Sequence, residues 1–102
     1  MQEVSIQGLE NGGLQIALSG EIDLGNAEAF YNDVIAAYNA SPADLCFDCT
    51  ELEFIDSTTL GTFVKLLKAV KTDGYKMVLS NLQPKIRKLF VICSLDSIIE
   101  LR

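Results

Sequence analysis

Two short runs near the start of the chain carry apolar residues at every second position. Val4 and Ile6 alternate with Ser5 and Gln7, and Leu14, Ile16 and Leu18 alternate with Gln15, Ala17 and Ser19. A period of two belongs to strands with one buried face. Between the runs, Glu10, Asn11, Gly12 and Gly13 supply residues that adopt positive φ at little cost, so the pattern predicts an antiparallel hairpin over residues 3–19. From Asn26 to Asn39 the period lengthens: Ala29, Phe30, Asp33, Val34, Ala37 and Tyr38 fall at helical spacing. This predicts a first helix with Asn26 as N-cap and Pro42 just past its end.

Leu45, Cys46 and Phe47 form a short run that is apolar at both parities, which predicts a central strand over 44–48 covered on two sides. Residues 49–56 then read as a loop, with Leu52, Phe54 and Ile55 anchoring it inward. Thr58 to Thr72 is the clearest element. Leu60, Phe63, Val64, Leu67 and Val70 share one helical stripe, and Lys65, Lys68 and Lys71 lie mainly opposite as a solvated face. Asp73 and Gly74 end this helix, Tyr75 to Ser80 reads as a further strand, and Pro84 opens a helix carrying Ile86, Leu89, Phe90 and Val91. Ile98 to Leu101 fits either a short strand or a helical turn.

Strand 44–48, helix 58–72 and strand 75–80 make a βαβ unit, whose two strands must be parallel and joined by a right-handed crossover. With antiparallel edges added by the hairpin, the expectation is one α/β domain over residues 1–102: a mixed sheet with helices packed on it. In open α/β sheets function gathers at the carboxyl ends of the parallel strands. Here that place is the segment leading into Asp56 and Ser57.

Composition narrows the function. The 102 residues are 49% apolar and 22% charged, ordinary globular usage. The apolar runs are far shorter than the ~20 residues a bilayer needs, and no basic segment precedes an apolar one at Met1, so membrane insertion is not expected and the cytoplasm is the expected compartment. Fourteen acidic against eight basic residues give a net charge of −6, which repels phosphate backbones and excludes direct nucleic-acid binding. A protein partner with a basic face suits it better. Cys46, Cys49 and Cys93 cannot all pair within one chain and are expected to be reduced, with the first two read as small packing residues. Cys46 and Cys49 spell C-x-x-C, but with no second pair and no histidine a four-ligand zinc site cannot be assembled from the usual N/S set. The lack of histidine and of a Cys–base pair also argues against an enzyme. A phospho-aspartate receiver could use Asp48 at a strand end, but the acidic pair it needs after an early apolar strand is missing.

Candidate chemistry therefore concentrates at Asp56, Ser57, Thr58 and Thr59, four capping-type residues at one helix start, followed by Leu60 and Gly61. An N-cap explains one of the four. A helix start also carries unpaired N–H groups and a positive dipole end, which tolerate a phosphate, so a hydroxyl there suits a phosphoacceptor.

Residues 54–61, Phe-Ile-Asp-Ser-Thr-Thr-Leu-Gly, resemble the D-S-S/T-G-L-G segment of the STAS domain family, most strongly that of bacterial anti-sigma-factor antagonists. Gly20, Glu21, Ile22 and Asp23 are similar to the family's G-E-I/L-D. Asn81 and Leu82, followed by Leu89 and Phe90, agree near the end. The resemblance implies that Ser57 is phosphorylated by a serine kinase that is itself the anti-sigma factor. Glu21, Asp23, Asp56, Thr58, Thr59, Gly61 and Asn81 would form the partner-binding set. It further implies that the unphosphorylated form captures the kinase and frees a sigma factor, that phosphorylation releases it, and that a metal-dependent serine phosphatase resets it. ATP and Mg²⁺ would belong to the kinase, leaving this chain without a cofactor. Thr59 departs from the family's usual glycine, and its bulk is expected to crowd the approaching kinase. The alternative is a STAS-type scaffold or small-ligand subunit of a signalling or transport assembly.

Overall fold

The computed structural model describes residues 3–8 and 13–102, with side chains from residue 13 onward. In chain order the elements are β1 (Glu3–Gly8), β2 (Leu14–Ile22), α1 (Ala27–Ala40), β3 (Leu45–Ile55), α2 (Ser57–Thr72), β4 (Met77–Ser80), α3 (Pro84–Ile92), a 3-10 turn (Leu95–Ser97) and β5 (Glu100–Leu101). The strands form one sheet in the order β1-β2-β3-β4-β5. Strands β2 to β5 run parallel, because each successive pair is linked by a helical crossover. The expected antiparallel pairing is present between β1 and β2, but the expectation of two antiparallel edges is corrected: β2 also pairs parallel with β3, so among the described residues β1 is the one antiparallel strand. The turn residues Glu10, Asn11 and Gly12, and the facing of Val4 and Ile6, lie outside the described residues.

Strand β3 is far longer than the 44–48 expected, and residues 49–55 are strand rather than loop. Its register against β2 gives the physical reason. Ala17 pairs with Asp48 but Ser19 with Glu51, and Gly20 pairs with Leu52 but Glu21 with Phe54. At each step β3 spends one residue more than β2, so two bulges interrupt its alternation. Gly20, at φ 75°, sits at the second. Inward positions thus become Cys49, Leu52 and Ile55, all buried, while Thr50, Glu51, Glu53 and Phe54 face out. Phe54, expected to anchor inward, is 46% exposed. Nor is β3 covered on two sides, since Cys46 and Asp48 on its other face are only half-buried.

All three helices pack on the face that Phe47 presents. Its ring lies 6.1 Å from that of Phe30 on α1 and 5.4 Å from that of Phe63 on α2, and Phe63 in turn lies 5.6 Å from Phe90 on α3. All four rings are fully buried. Edge-on aromatic pairs of this kind add about 0.5–1.5 kcal/mol each beyond simple burial. A second tie joins the far ends of two helices. Tyr38 of α1 donates a 2.6 Å hydrogen bond to Asp73, the C-cap of α2. In α3 Pro84 takes the first turn as expected and Ile86 and Phe90 are buried, but Leu89 and Val91 remain on the surface. The ambiguous tail, Ile98 to Leu101, ends in a two-residue strand at Glu100–Leu101, and the 3-10 turn at Leu95–Ser97 lies just before it.

Candidate functional site

The crowded hydroxyls at the start of α2 have separate roles. Asp56 is the N-cap, its Oδ1 accepting from Thr59 N at 3.0 Å, and Thr59 Oγ1 completes a capping box by accepting from Asp56 N at 3.5 Å. Thr59 also donates to the Ile22 carbonyl at the end of β2 and is fully buried. This corrects its expected place on the partner-binding face: its side chain points down into the junction of β2 and α2 and presents no bulk to a visitor. Ser57 and Thr58, by contrast, are exposed, and no hydrogen bond among the described residues uses the Ser57 hydroxyl. Capping is complete without it.

Asp56 does more than cap. Its Oδ2 accepts from Leu24 N at 2.9 Å, which ties the β2–α1 loop to the start of α2 across 32 residues of sequence. The Thr59 N–H first, and the Leu24 N–H after it, hold the Asp56 carboxyl below its ordinary range against an opposing desolvation. The loop is braced from within as well. Asp23 Oδ1 accepts from Gly25 N at 2.9 Å, and Asn26 receives Asp23 N on its Oδ1 while its Nδ2 donates to Glu21 O. Asn26 therefore sits at the N-cap position of α1 without capping it; its side chain is spent on the loop.

This brings Glu21, Asp23, Asp56, Ser57 and Thr58 to one end of the sheet, at the carboxyl ends of β2 and β3. Gly61, one turn past Ser57 on α2, is exposed on the same side. A Cβ at Gly61 would meet nothing within 4 Å, so no packing among the described residues requires glycine there. Asn81 is not part of this group. Ser80 pairs with Asp48, and β3 runs on through Ile55 before Asp56, which puts Asn81 on the order of 20 Å away along the strand. Its task is structural: at φ 62° it donates from its backbone N to Arg102 O and from Nδ2 to Asp48 Oδ1.

Two features were not anticipated from the sequence. Leu24 is 77% exposed yet clamped by Asp56, an apolar side chain held out into solvent beside Ser57. Beyond it a groove of about 340 Å³ runs between α1 and α2, lined by Leu24, Glu28, Tyr31, Thr58, Thr62 and Lys65. Lys65 Nζ lies 4.4 Å from the centre of the Tyr31 ring, a cation–π contact. The one sequence signal was Leu24 itself, an isolated leucine between Asp23 and Gly25 that serves neither period.

The two cysteines of the C-x-x-C pair lie on opposite faces of β3, Cys46 half-buried and Cys49 buried. Cys49 is buried, its thiol pushed up to about 12, chiefly by burial, and among the described residues no group of three or more potential ligands gathers. No described helix is long and apolar enough to cross a membrane.

The order of β-strands and crossover helices matches a known domain. The family model described as "STAS domain" matches residues 4–102. The chain belongs to the STAS domain family. Among curated proteins it is 33% identical over 88 residues to the anti-sigma-B factor antagonist of Bacillus subtilis, covering 86% of this chain and 80% of that protein. The fold superposes on that of an anti-sigma factor antagonist from Mycobacterium paratuberculosis with a TM-score of 0.84 at 24% identity, over 99% of this chain and 85% of the other. It also superposes on the Bacillus cell fate determinant SpoIIAA in its phosphorylated form, with a TM-score of 0.77 at 19% identity, over 98% and 91% of the two chains.

Proposed function

We propose that this STAS domain is an anti-sigma-factor antagonist whose docking to an anti-sigma serine kinase is governed by phosphorylation of Ser57. The carrying observation is the division of labour at the α2 start: Asp56 and Thr59 do the capping, and the Ser57 hydroxyl stands exposed and unengaged. The curated relatives named as anti-sigma-B factor antagonists supply the partner class. In this reading the unphosphorylated chain holds the kinase in the cytoplasm and a sigma factor goes free. Transfer of the γ-phosphoryl of ATP to Ser57 Oγ releases ADP and the antagonist, and a serine phosphatase restores the hydroxyl.

Charge explains why the switch acts on the complex rather than on the fold. A phosphoserine adds about −1.5 to −2 charges. In the free protein that anion meets the positive end of α2, worth ~0.3–1 kcal/mol, offset by repulsion from Asp56. At a packed interface the same anion, buried without a partner, costs about 2–5 kcal/mol, or roughly 30- to several-thousand-fold in affinity. Leu24 and the groove beside it give the kinase an apolar anchor point, and Glu21, Asp23, Thr58 and Gly61 surround the serine.

The test is incubation with the anti-sigma kinase and ATP, followed by intact-mass analysis and fragmentation. One phosphate on Ser57 is expected. Ser57→Ala should bind the kinase persistently, and Ser57→Asp should unfold at an unchanged midpoint yet fail to bind. A chain that takes up no phosphate and binds its partner equally in all three forms is a scaffold, and the reading fails.

A further inference from the structure

Helix α3 carries an arrangement that the fold does not require. Lys85, Arg87 and Lys88 are three of the chain's eight basic residues, set within four positions of a protein whose net charge is −6. They occupy the N-terminal half of the helix, where the macrodipole disfavours cations, and α3 has no acid in its first turn to offset them. None of the three enters an ion pair among the described residues. These charges cost helix stability and gain no ion-pair partner among the described residues.

Beside them lies unclaimed apolar surface. Lys85, Lys88, Leu89 and Ile92 follow the i, i+3, i+4, i+7 spacing of one helical stripe. Leu89 is 37% exposed and Ile92 is 66% exposed. Next to that stripe a concavity of about 190 Å³ opens between α3 and the end of β3, walled by Phe54, Ile55, Ile86 and Leu89, with Lys85 and one acid, Glu53, at its edge. That is space for one large apolar side chain. The bulge in β3 is what turns Phe54 outward to form its wall.

We propose that this surface docks an acidic, amphipathic segment of a partner protein, which seats one apolar side chain between Phe54 and Leu89 and sets its carboxylates against Lys85, Arg87 and Lys88. Charge complementarity selects this occupant. The cations need carboxylates, the concavity needs a side chain rather than a flat apolar layer, and a chain of net charge −6 is repelled by an anionic bilayer. Ser57 does not line this concavity, whose wall ends at Ile55 two residues before it, so in this proposal docking here proceeds without phosphorylation.

The intact chain, isotopically labelled, is to be screened against a displayed library of random peptides, and the selected peptides titrated by NMR. Selected sequences should carry a large apolar residue flanked by Asp and Glu, with shifts confined to residues 53–55 and 84–92. The double variant Lys85→Glu, Lys88→Glu alters only exposed charges and should lower affinity at least about tenfold, an effect that shrinks at high salt. Leu89→Asp should abolish binding, and Ser57→Asp should leave it unchanged, so failure here is distinct from failure of the phosphorylation switch. Selection of basic or uncharged peptides, shifts elsewhere on the molecule, no enrichment at all, preferential binding to phosphatidylglycerol vesicles, or concentration-dependent self-association through this face would each overturn the proposal.

Discussion

Gly61 offers a way to separate what the fold needs from what a partner needs. It lies in the second turn of a 16-residue helix, exposed, with open space where a Cβ would go. Glycine inside a helix is about 0.8–1.0 kcal/mol less favourable than alanine, because it loses more backbone freedom on folding. With no contact to disturb, Gly61→Ala should recover most of that, raising the thermal midpoint by ~3–6 °C for a domain of this size. The same methyl group would stand one turn above Ser57, on the face assigned to the kinase. Overpacking a fitted surface costs about 1–3 kcal/mol, roughly 5- to 150-fold in affinity. The assay pairs a thermal or urea melt with calorimetric titration of the unphosphorylated protein against the anti-sigma kinase. A variant that melts lower would show that the fold itself demands glycine. A more stable variant with undiminished binding would show that the partner does not approach this turn, and the docking face would have to be redrawn.

Two further outcomes test the framework beneath the site. Thr59→Val keeps the buried shape but removes the hydroxyl that serves both Ile22 O and the capping box, leaving a buried carbonyl unsatisfied; a loss of about 1–3 kcal/mol in urea unfolding is expected, and a neutral result would show that the bond contributes nothing net. The pH profile of stability should have two limbs of opposite sign. The Tyr38 phenol is pushed up to about 12, first by burial and then by its bond to Asp73, so the folded state retains a proton the unfolded chain gives up near pH ~10. Stability should therefore fall as pH rises from there through about 12, and Tyr38→Phe should flatten that limb. On the acid side, Asp48 is held below its usual range chiefly by the Thr50 hydroxyl and Asp56 by the Thr59 N–H. Their contribution is present above pH ~4 and lost as pH falls through their folded values.

The helices were legible because their apolar stripes are long, and α2, whose start carries a working cap in Asp56, falls within a residue of its expected start. Strand β3 was not, for a reason written in its register: two extra residues against β2 turn a two-residue alternation into Cys49, Leu52, Ile55, a spacing that resembles neither strand nor helix. The parallel pairing of β2 was equally hidden, since alternation tells which face is buried and not which neighbour lies alongside. At the site, the cluster Asp56 to Thr59 announced itself by composition, but composition could not assign the roles. Only the bond from Thr59 to Ile22 O shows that one of the two threonines faces inward. Asn81 illustrates the opposite error. It matches the family pattern in order, yet the long reach of β3 past its pairing with β4 leaves it far from the serine.

The carboxylate of Asp56 grips two backbone amides, one from each of the segments that frame Ser57. A latch made to main-chain atoms is indifferent to the identity of the side chains around it. Leu24, Thr58 and the walls of the adjoining groove can therefore be exchanged without loosening the frame that displays them. One latch can thus carry many different displayed surfaces, and a change of binding preference need not be a change of fold.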